Sequence, residues 1–132
     1  MKLINQTSSE VLTLHHDLLW TDEHSWSKTV ASKTYSLTGA LLVQVGTRKA
    51  GRHITLAPPS EEMAWLPRAT VDTLHAWADI AGLVMTLQMD NGQTYNVQFR
   101  HDDGALESRP VKGFPSPDPA DYFLATIRLM EI

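Results

Sequence analysis

Residues 83–99, LVMTLQMDNGQTYNVQF, constrain the fold more than any other segment, because they predict a β-hairpin together with its register. If residues 90–92 form a three-residue loop, the apolar residues of both strands share one face. In that register Met85 faces Val97, Leu87 faces Tyr95 and Leu83 faces Phe99. A two-residue Asn-Gly turn would instead place apolar and polar residues on the same face. The sequence therefore predicts a type I turn with Gly92 in a left-handed conformation.

A short amphipathic helix is predicted directly before this hairpin, over about residues 70–82. Thr70 is suited to cap its first turn, and Gly82 is suited to end it. The apolar residues at helical spacing are Val71, Leu74, Trp77, Ala78 and Ala81. A single apolar stripe of this kind packs against a sheet. We therefore expect one helix that covers one face of a β-sheet.

Alternating patterns predict further strands on both sides of this helix. Residues 11–20 read as a first strand, in which His16 shares the inward parity of the leucines. Residues 40–57 read as two strands joined by the basic loop TRKAGR, which makes a second hairpin. The last twelve residues read as a final strand, whose inward set is Phe123, Ala125, Ile127 and Leu129. Between the helix and the second hairpin, three prolines frame a loop in which Trp65 is expected to pack on the core.

The order of these elements predicts one α+β domain over residues 1–132. Its architecture is expected to be a mostly antiparallel β-sandwich or split barrel with the single flanking helix. A doubly wound fold would need more helices than the pattern offers. Residues 101–120 are rich in proline and charge, and they are expected to form a long loop of the kind that functional or mobile connections use.

Composition excludes several classes of function. The chain of 132 residues has no cysteine, which rules out disulfides, thiolate metal sites and thiol catalysis and fits a reducing cytoplasm. No apolar run approaches the roughly 20 residues of a membrane span, and the N-terminus turns polar where a signal peptide would be apolar. The formal net charge of −4 argues against a dedicated nucleic-acid binder.

No set of residues predicts catalysis, a cofactor or a metal. There is no G-x-S-x-G turn, and the glycines do not match a phosphate-binding loop. The acidic pairs Glu61–Glu62 and Asp102–Asp103 read as solvated charge. His15 and Asp17 would share one side of a strand while His16 faces the other, so a third metal ligand is not identifiable. A small hydrolase therefore has no plausible residue set, and the protein is not expected to be an enzyme.

A contact surface is predicted instead from basic and aromatic residues. Arg48, Lys49 and Arg52 crowd the TRKAGR segment, and Trp20 and Trp26 lie in a polar neighbourhood. Aromatic residues and arginine are enriched in protein interfaces. A solvated loop tip is the plainer explanation of the three cations. The five residues together are the predicted partner interface.

Three segments in order resemble small tail-tip proteins of long-tailed bacteriophages and prophages, the group that includes distal tail proteins. They are YSLTGALLVQVGTRKAGRHITL, AWLPRATVDTLHAWADIAGLVMTLQMDNGQTYNVQFRH and ADYFLATIRLMEI. The resemblance covers about residues 35–132. It implies a small β-sandwich or split barrel that forms a ring, of six copies by analogy, joining the tail tube to the baseplate or receptor-binding apparatus. It implies no catalytic residues.

The same resemblance implies assembly with other phage tail proteins in the host cytoplasm and a final location in the virion tail. A role as a tail completion protein or a minor baseplate protein remains open within it. The alternative function is a small β-barrel module that binds carbohydrate or single-stranded nucleic acid through Trp20, Trp26 and the loop from Arg48 to Arg52. Steep weakening of binding by salt would favour the nucleic-acid version, whereas oligomerisation without a ligand would favour the tail protein.

Overall fold

The computed structural model describes residues 1–113, 116 and 118–132. Within these residues the chain forms eleven strands and one α-helix, with a 3-10 turn at His101–Asp103. The elements are β1 Lys2–Asn5, β2 Val11–Thr13, β3 Leu19–Trp20, β4 Thr29–Tyr35, β5 Leu41–Thr47, β6 His53–Ala57, β7 Leu66–Pro67, α1 Arg68–Ala78, β8 Met85–Gln88, β9 Thr94–Phe99, β10 Leu106–Pro110 and β11 Tyr122–Glu131.

Nine strands form one antiparallel sheet, in the order β2-β1-β8-β9-β11-β6-β3, with β10 and β7 also paired to β11. One edge of β11 pairs with β9 and β10, and the other edge pairs with β6 and β7. The described strands do not close into a barrel. The expected mostly antiparallel α+β fold with one helix is therefore confirmed at this level. We call the nine-stranded sheet together with α1 the body.

The predicted hairpin register is confirmed. Met85 pairs with Val97 and Leu87 pairs with Tyr95. The loop closes as a turn in which the Gly92 N–H donates to the Met89 carbonyl at 3.1 Å, and Gly92 has a φ of +86°. The alternation of apolar and polar residues was enough to predict this register, because one face of the hairpin is buried and the other face is polar.

The helix is shorter than predicted and begins earlier, at Arg68 instead of about residue 70. Pro67 precedes it in an extended conformation, and Thr70 lies within the first turn without capping it. The helix ends at Ala78, with Asp79 as its C-cap. Three of the predicted stripe residues are buried: Val71, Leu74 and Trp77. Ala81 is exposed because the helix has already ended before it.

The N-terminal region differs most from its prediction. β1 was not predicted, yet it pairs with β2 on one side and with β8 on the other. The single strand expected over residues 11–20 is two short strands, β2 and β3, separated by a turn at residues 14–18. His16 is exposed, contrary to its predicted inward parity, because parity does not hold across that turn.

The predicted hairpin over residues 40–57 is wrong in its pairing, although both strands exist. β5 pairs with β4, and β6 pairs with β11 and β3. The reason is burial: Ile54 and Leu56 of β6 are fully buried in the body, whereas β5 is exposed along its whole length. The basic loop therefore connects two different sheets and does not turn a hairpin.

The final strand is confirmed over Tyr122–Glu131, and Ala125, Ile127 and Leu129 of the predicted inward set are fully buried. Phe123 of that set is half-buried, and Leu124, which alternates with it, is also buried. The loop predicted over residues 101–120 contains β10, which pairs with β11. Phe114, Pro115 and Pro117 of that loop lie outside the described residues. Within the described part of the chain there is no helix with the length and apolar character needed to cross a membrane.

Candidate functional site

Residues 29–47 form a hairpin that stands apart from the body, and we call this hairpin the arm. Its strands β4 and β5 make a separate two-stranded sheet. Every residue of the two strands except the half-buried Val30 is exposed. An isolated two-stranded hairpin is at best marginally stable in water. Contact with another molecule is therefore expected to stabilise the arm.

The two faces of the arm differ in polarity. The register places Ala31 opposite Val45, Lys33 opposite Val43 and Tyr35 opposite Leu41, so these six side chains share one face. Tyr35 is 73% exposed and Val45 is 67% exposed. The opposite face carries Ser32, Thr34 and Gln44 together with Val30 and Leu42. A contiguous exposed apolar face is typical of an interaction surface.

The tip of the arm is a five-residue turn over residues 36–40. The Ser36 N–H donates to the Ala40 carbonyl at 2.8 Å, and the Gly39 N–H donates to the Ser36 carbonyl at 2.9 Å. Gly39 has a φ of +82°, which favours glycine. These bonds hold Leu37 at the end of the arm with its side chain fully exposed. An apolar side chain in that place is suited to enter a partner's surface.

The predicted interface residues meet where the arm joins the body, and we call this cluster of Trp20, Trp26, Arg48 and Arg52, with Lys49 beside it, the root. The Arg52 guanidinium lies 4.6 Å from the ring centre of Trp20 and 5.8 Å from that of Trp26. The Arg48 guanidinium also lies 5.8 Å from the Trp26 ring. Arg52 therefore lies against both indole rings, and Arg48 lies against that of Trp26. Four of the five predicted residues come together, and Lys49 is exposed beside them.

Burial divides the roles within this root. Trp20 is only 7% exposed, and its indole N–H donates to the His53 carbonyl at 3.4 Å, so Trp20 belongs to the core of the body. Arg52 donates to the Glu23 carbonyl at 2.8 Å, and its backbone carbonyl accepts from the Glu131 N–H at 2.8 Å. Trp20 and Arg52 therefore fasten the arm to the body. Trp26, Arg48 and Lys49 remain available to a partner.

A second exposed apolar surface lies on the body, and we call it the patch. It consists of Met63, Trp65 and Tyr122, which are 40%, 36% and 52% exposed. The rings of Trp65 and Tyr122 are in contact, with centres 5.7 Å apart. Trp65 was expected to pack on the core. It lies on the surface instead, where its indole N–H donates to the Glu61 carbonyl at 2.9 Å.

His15, His16 and Asp17 come closer together than strand parity predicted. Their ligand atoms lie within 4.8 Å of one another, and the two imidazole rings stack with centres 4.7 Å apart. The expectation that His16 faces away is therefore wrong, because these residues form a turn. The His15 Nδ1 accepts from the Asp17 backbone N–H at 3.1 Å, which leaves only Nε2 of that ring for a metal.

The acidic pairs singled out in the sequence do not converge on a cleft. Glu61 forms an ion pair with Arg109 at 2.9 Å, and Asp103 forms one with Arg100 at 3.3 Å. Arg100 was not predicted as a special residue, yet it is only 5% exposed and donates to the Thr55 hydroxyl. These contacts fit charge neutralisation within the body better than acid-base catalysis.

One carboxyl group has a shifted pKa. The N-terminal ammonium of Met1 donates a hydrogen bond to Asp90 and lowers the pKa of that carboxyl, and the nearby His16 lowers it further. Partial desolvation opposes the shift. The contact joins the start of β1 to the turn between β8 and β9. It therefore stabilises the body and has no evident catalytic use.

The arm and the patch were missed at the level of sequence. The signal for the arm was the alternation of Tyr35, Leu41, Val43 and Val45 around Gly39, which predicts a hairpin turning at SLTGA. The hairpin turn was predicted in the basic loop TRKAGR instead, because Gly51 and the cations of that loop are typical of loop tips. The patch had no local signal, because Trp65 and Tyr122 are distant in sequence.

The chain matches no protein-family model, no curated protein and no solved structure. The geometry of the arm, the root and the patch is therefore the basis for a proposed function. All three are suited to contact with another protein chain.

Proposed function

We propose that this protein is a structural component of a phage or prophage tail, in which copies of the chain form a ring at the tail tip. The ring connects the tail tube to the baseplate or the receptor-binding apparatus. The observation that carries the proposal is the arm, a separate two-stranded sheet whose apolar face is exposed. A chain that exposes such a face gains stability by placing it against another chain.

Assembly is favoured because the arm, as an isolated two-stranded sheet, is only marginally stable in the single chain. Burial of apolar surface contributes about 25 cal/mol per Å², and the arm's apolar face contributes little of this in the single chain because solvent reaches it. A partner that covers the face supplies this burial and orders the hairpin at the same time. Assembly and ordering of the arm are therefore expected to occur together.

The resemblance to distal tail proteins supplies the biological setting. Under the proposal, the sheet and α1 correspond to the small β-sandwich or split barrel of that group, and the ring contains six copies. The protein is assembled in the host cytoplasm, ends in the virion tail and contacts other tail proteins. Its role is structural, and no catalytic residue, cofactor or metal takes part.

A binding module for carbohydrate or single-stranded nucleic acid is the second candidate. The proximity of Trp26, Arg48 and Arg52 at the root favours it, because aromatic rings and guanidinium groups are the side chains that bind bases and phosphates. The burial of Trp20 weighs against it, since one of the two proposed stacking rings faces the core. Binding of a labelled oligonucleotide that falls steeply with salt would favour this candidate.

Solution mass tests the main proposal. Light scattering over a concentration series, with negative-stain imaging of large species, is expected to detect a closed ring. Val43→Asp should abolish it, because Val43 lies on the apolar face of the arm. Gln44→Asp is the matched control, because Gln44 is the next residue and points to the polar face. A wild-type chain that stays monomeric at every concentration would contradict the proposal.

A further inference from the structure

The arm needs a surface that accepts it, and the patch is the strongest candidate on the body. Other exposed apolar side chains of the body, such as Val11, Leu19 and Ile80, lie on different elements. Met63, Trp65 and Tyr122 instead lie beside one another around the start of β11. Tryptophan and tyrosine are also the residues that most often carry binding energy in protein interfaces.

The arm and the patch lie at opposite ends of the longest strand. Tyr122 is the first residue of β11 and Glu131 is the last. The Gly51 N–H donates to the Glu131 carbonyl at 2.8 Å, which places the root of the arm beside that last residue. Ten residues of strand span about 30 Å. The two surfaces are therefore at opposite ends of the body and are separated by roughly its length.

Charge gives a second, independent reason to pair them. Residues 24–60, which contain the arm and the root residues Trp26, Arg48, Lys49 and Arg52, hold five of the eleven Lys and Arg residues and none of the fifteen Asp and Glu residues. The rest of the chain holds every acid. Glu61 and Glu62 immediately precede the patch residue Met63, and Asp121 immediately precedes Tyr122. Lys33 is the one cation of the arm itself. Beside the patch, Glu61 is already paired with Arg109, and Lys112 lines the same cavity as Trp65 and Tyr122, so Glu62 is the acid that Lys33 is suited to meet.

We propose that the arm of one copy docks on the patch of the next copy, with Leu37 and the apolar face against Trp65 and Tyr122. Lys33, which lies within the apolar face, then meets the acidic rim at Glu62. The inference rests on the proposed ring and names the two surfaces that build it. Because the two surfaces differ, the contact is head to tail, and such contacts close into a ring when the rotation permits.

Complementary variants test this pairing. Val43→Asp disables the arm and leaves the patch intact, whereas Tyr122→Lys disables the patch and leaves the arm intact. Each variant alone is expected to be monomeric at concentrations where the wild-type chain forms rings, with apparent dissociation constants raised at least about tenfold. An equimolar mixture is expected to form dimers and nothing larger, because only one productive contact exists between the two variants.

The control for the patch is Val11→Lys, because Val11 has a similar exposure of 55% and lies on the edge strand β2. It should assemble like the wild-type chain. If Tyr122→Lys does not fold, Glu62→Lys replaces it, since Glu62 is exposed and lies in a loop. Glu62→Lys should weaken assembly, and Lys33→Glu in the same chain should restore it by exchanging the two charges.

The outcomes separate this inference from the proposed function. Rings formed by folded Tyr122→Lys and Glu62→Lys chains, together with monomeric Val43→Asp, would overturn the docking on the patch and leave the ring standing. A wild-type chain that forms no oligomer would overturn both. Dimers in the mixture of the two variants, with neither variant dimeric alone, would establish the head-to-tail contact.

Discussion

The strands β11 and β5 carry the same alternation of apolar residues but lie in opposite environments. In β11 the residues Ala125, Ile127 and Leu129 are fully buried, whereas Leu41 and Val43 in β5 are half exposed or more. β11 has partners along both edges, and β5 pairs only with β4 among the described strands. Alternation of apolar residues therefore marks a face that is to be covered, but it does not indicate whether the same chain covers it.

The largest difference between the two regions should appear when one leucine from each is shortened. Leu129→Ala is expected to lower the free energy of unfolding by about 2–5 kcal/mol, because it leaves a cavity in the core. Leu41→Ala is expected to change it by less than about 0.5 kcal/mol in the monomer. Denaturant unfolding of both variants measures the contrast. Equal losses would mean that the arm is packed in the isolated chain.

Substitution of two glycines, one in the body and one in the arm, compares the backbone conformations of the two regions. Gly92→Val should destabilise the body hairpin by about 1 kcal/mol or more, because Gly92 has a φ of +86° and branched residues resist that conformation. The space around Gly92 is open, so the cost is strain and not a clash.

Gly46→Val in the arm is the matched control for Gly92→Val. Its added Cβ would meet a Val30 methyl at an ordinary 3.9 Å, and valine favours strands. The thermal midpoint of this variant should not fall. A fall as large as that of Gly92→Val would contradict the assignment of the two backbone conformations.

Substitutions in the root should separate residues that stabilise the fold from residues that contact a partner. Arg52→Ala is expected to lower the free energy of unfolding by about 1–2 kcal/mol, through loss of its contact with Trp20 and its bond to Glu23. Arg48→Glu with Lys49→Glu should leave the monomer's midpoint unchanged and impair assembly. Unchanged assembly would remove these two residues from the proposed interface.

The smallest expected effect is at Asp90. Its pKa is lowered in the folded chain by the Met1 ammonium, so the contact stabilises the fold above the ordinary carboxyl pKa and loses that contribution as pH falls through the lowered value. Asp90→Asn should therefore lower the thermal midpoint slightly near neutral pH. The difference between the variant and the wild-type chain should vanish in acid. A difference that grows in acid would contradict the sign of the shift.

Local patterns predicted much of the body but only fragments of the candidate site. The β8–β9 register, the turn at Gly92 and the inward set of β11 followed from parity, because each of those segments buries one face. The pairing of β5 did not, because β6 offered an equally apolar neighbour in sequence. β1 was not predicted, because its two buried residues, Leu3 and Asn5, are one apolar and one polar residue and give no apolar alternation.

The sequence by itself determined the presence of the helix, the β8–β9 hairpin and the last strand, together with the uneven distribution of charge, since these depend on residue type and spacing along the chain. Only the tertiary structure decided that β5 leaves the body, that Trp20 is buried while Trp65 is exposed, and that Arg52 and Arg48 lie against the indole rings of Trp20 and Trp26. The physical reason is that burial and pairing arise from competition among segments distant in sequence. The pattern of any one segment does not contain the outcome of that competition.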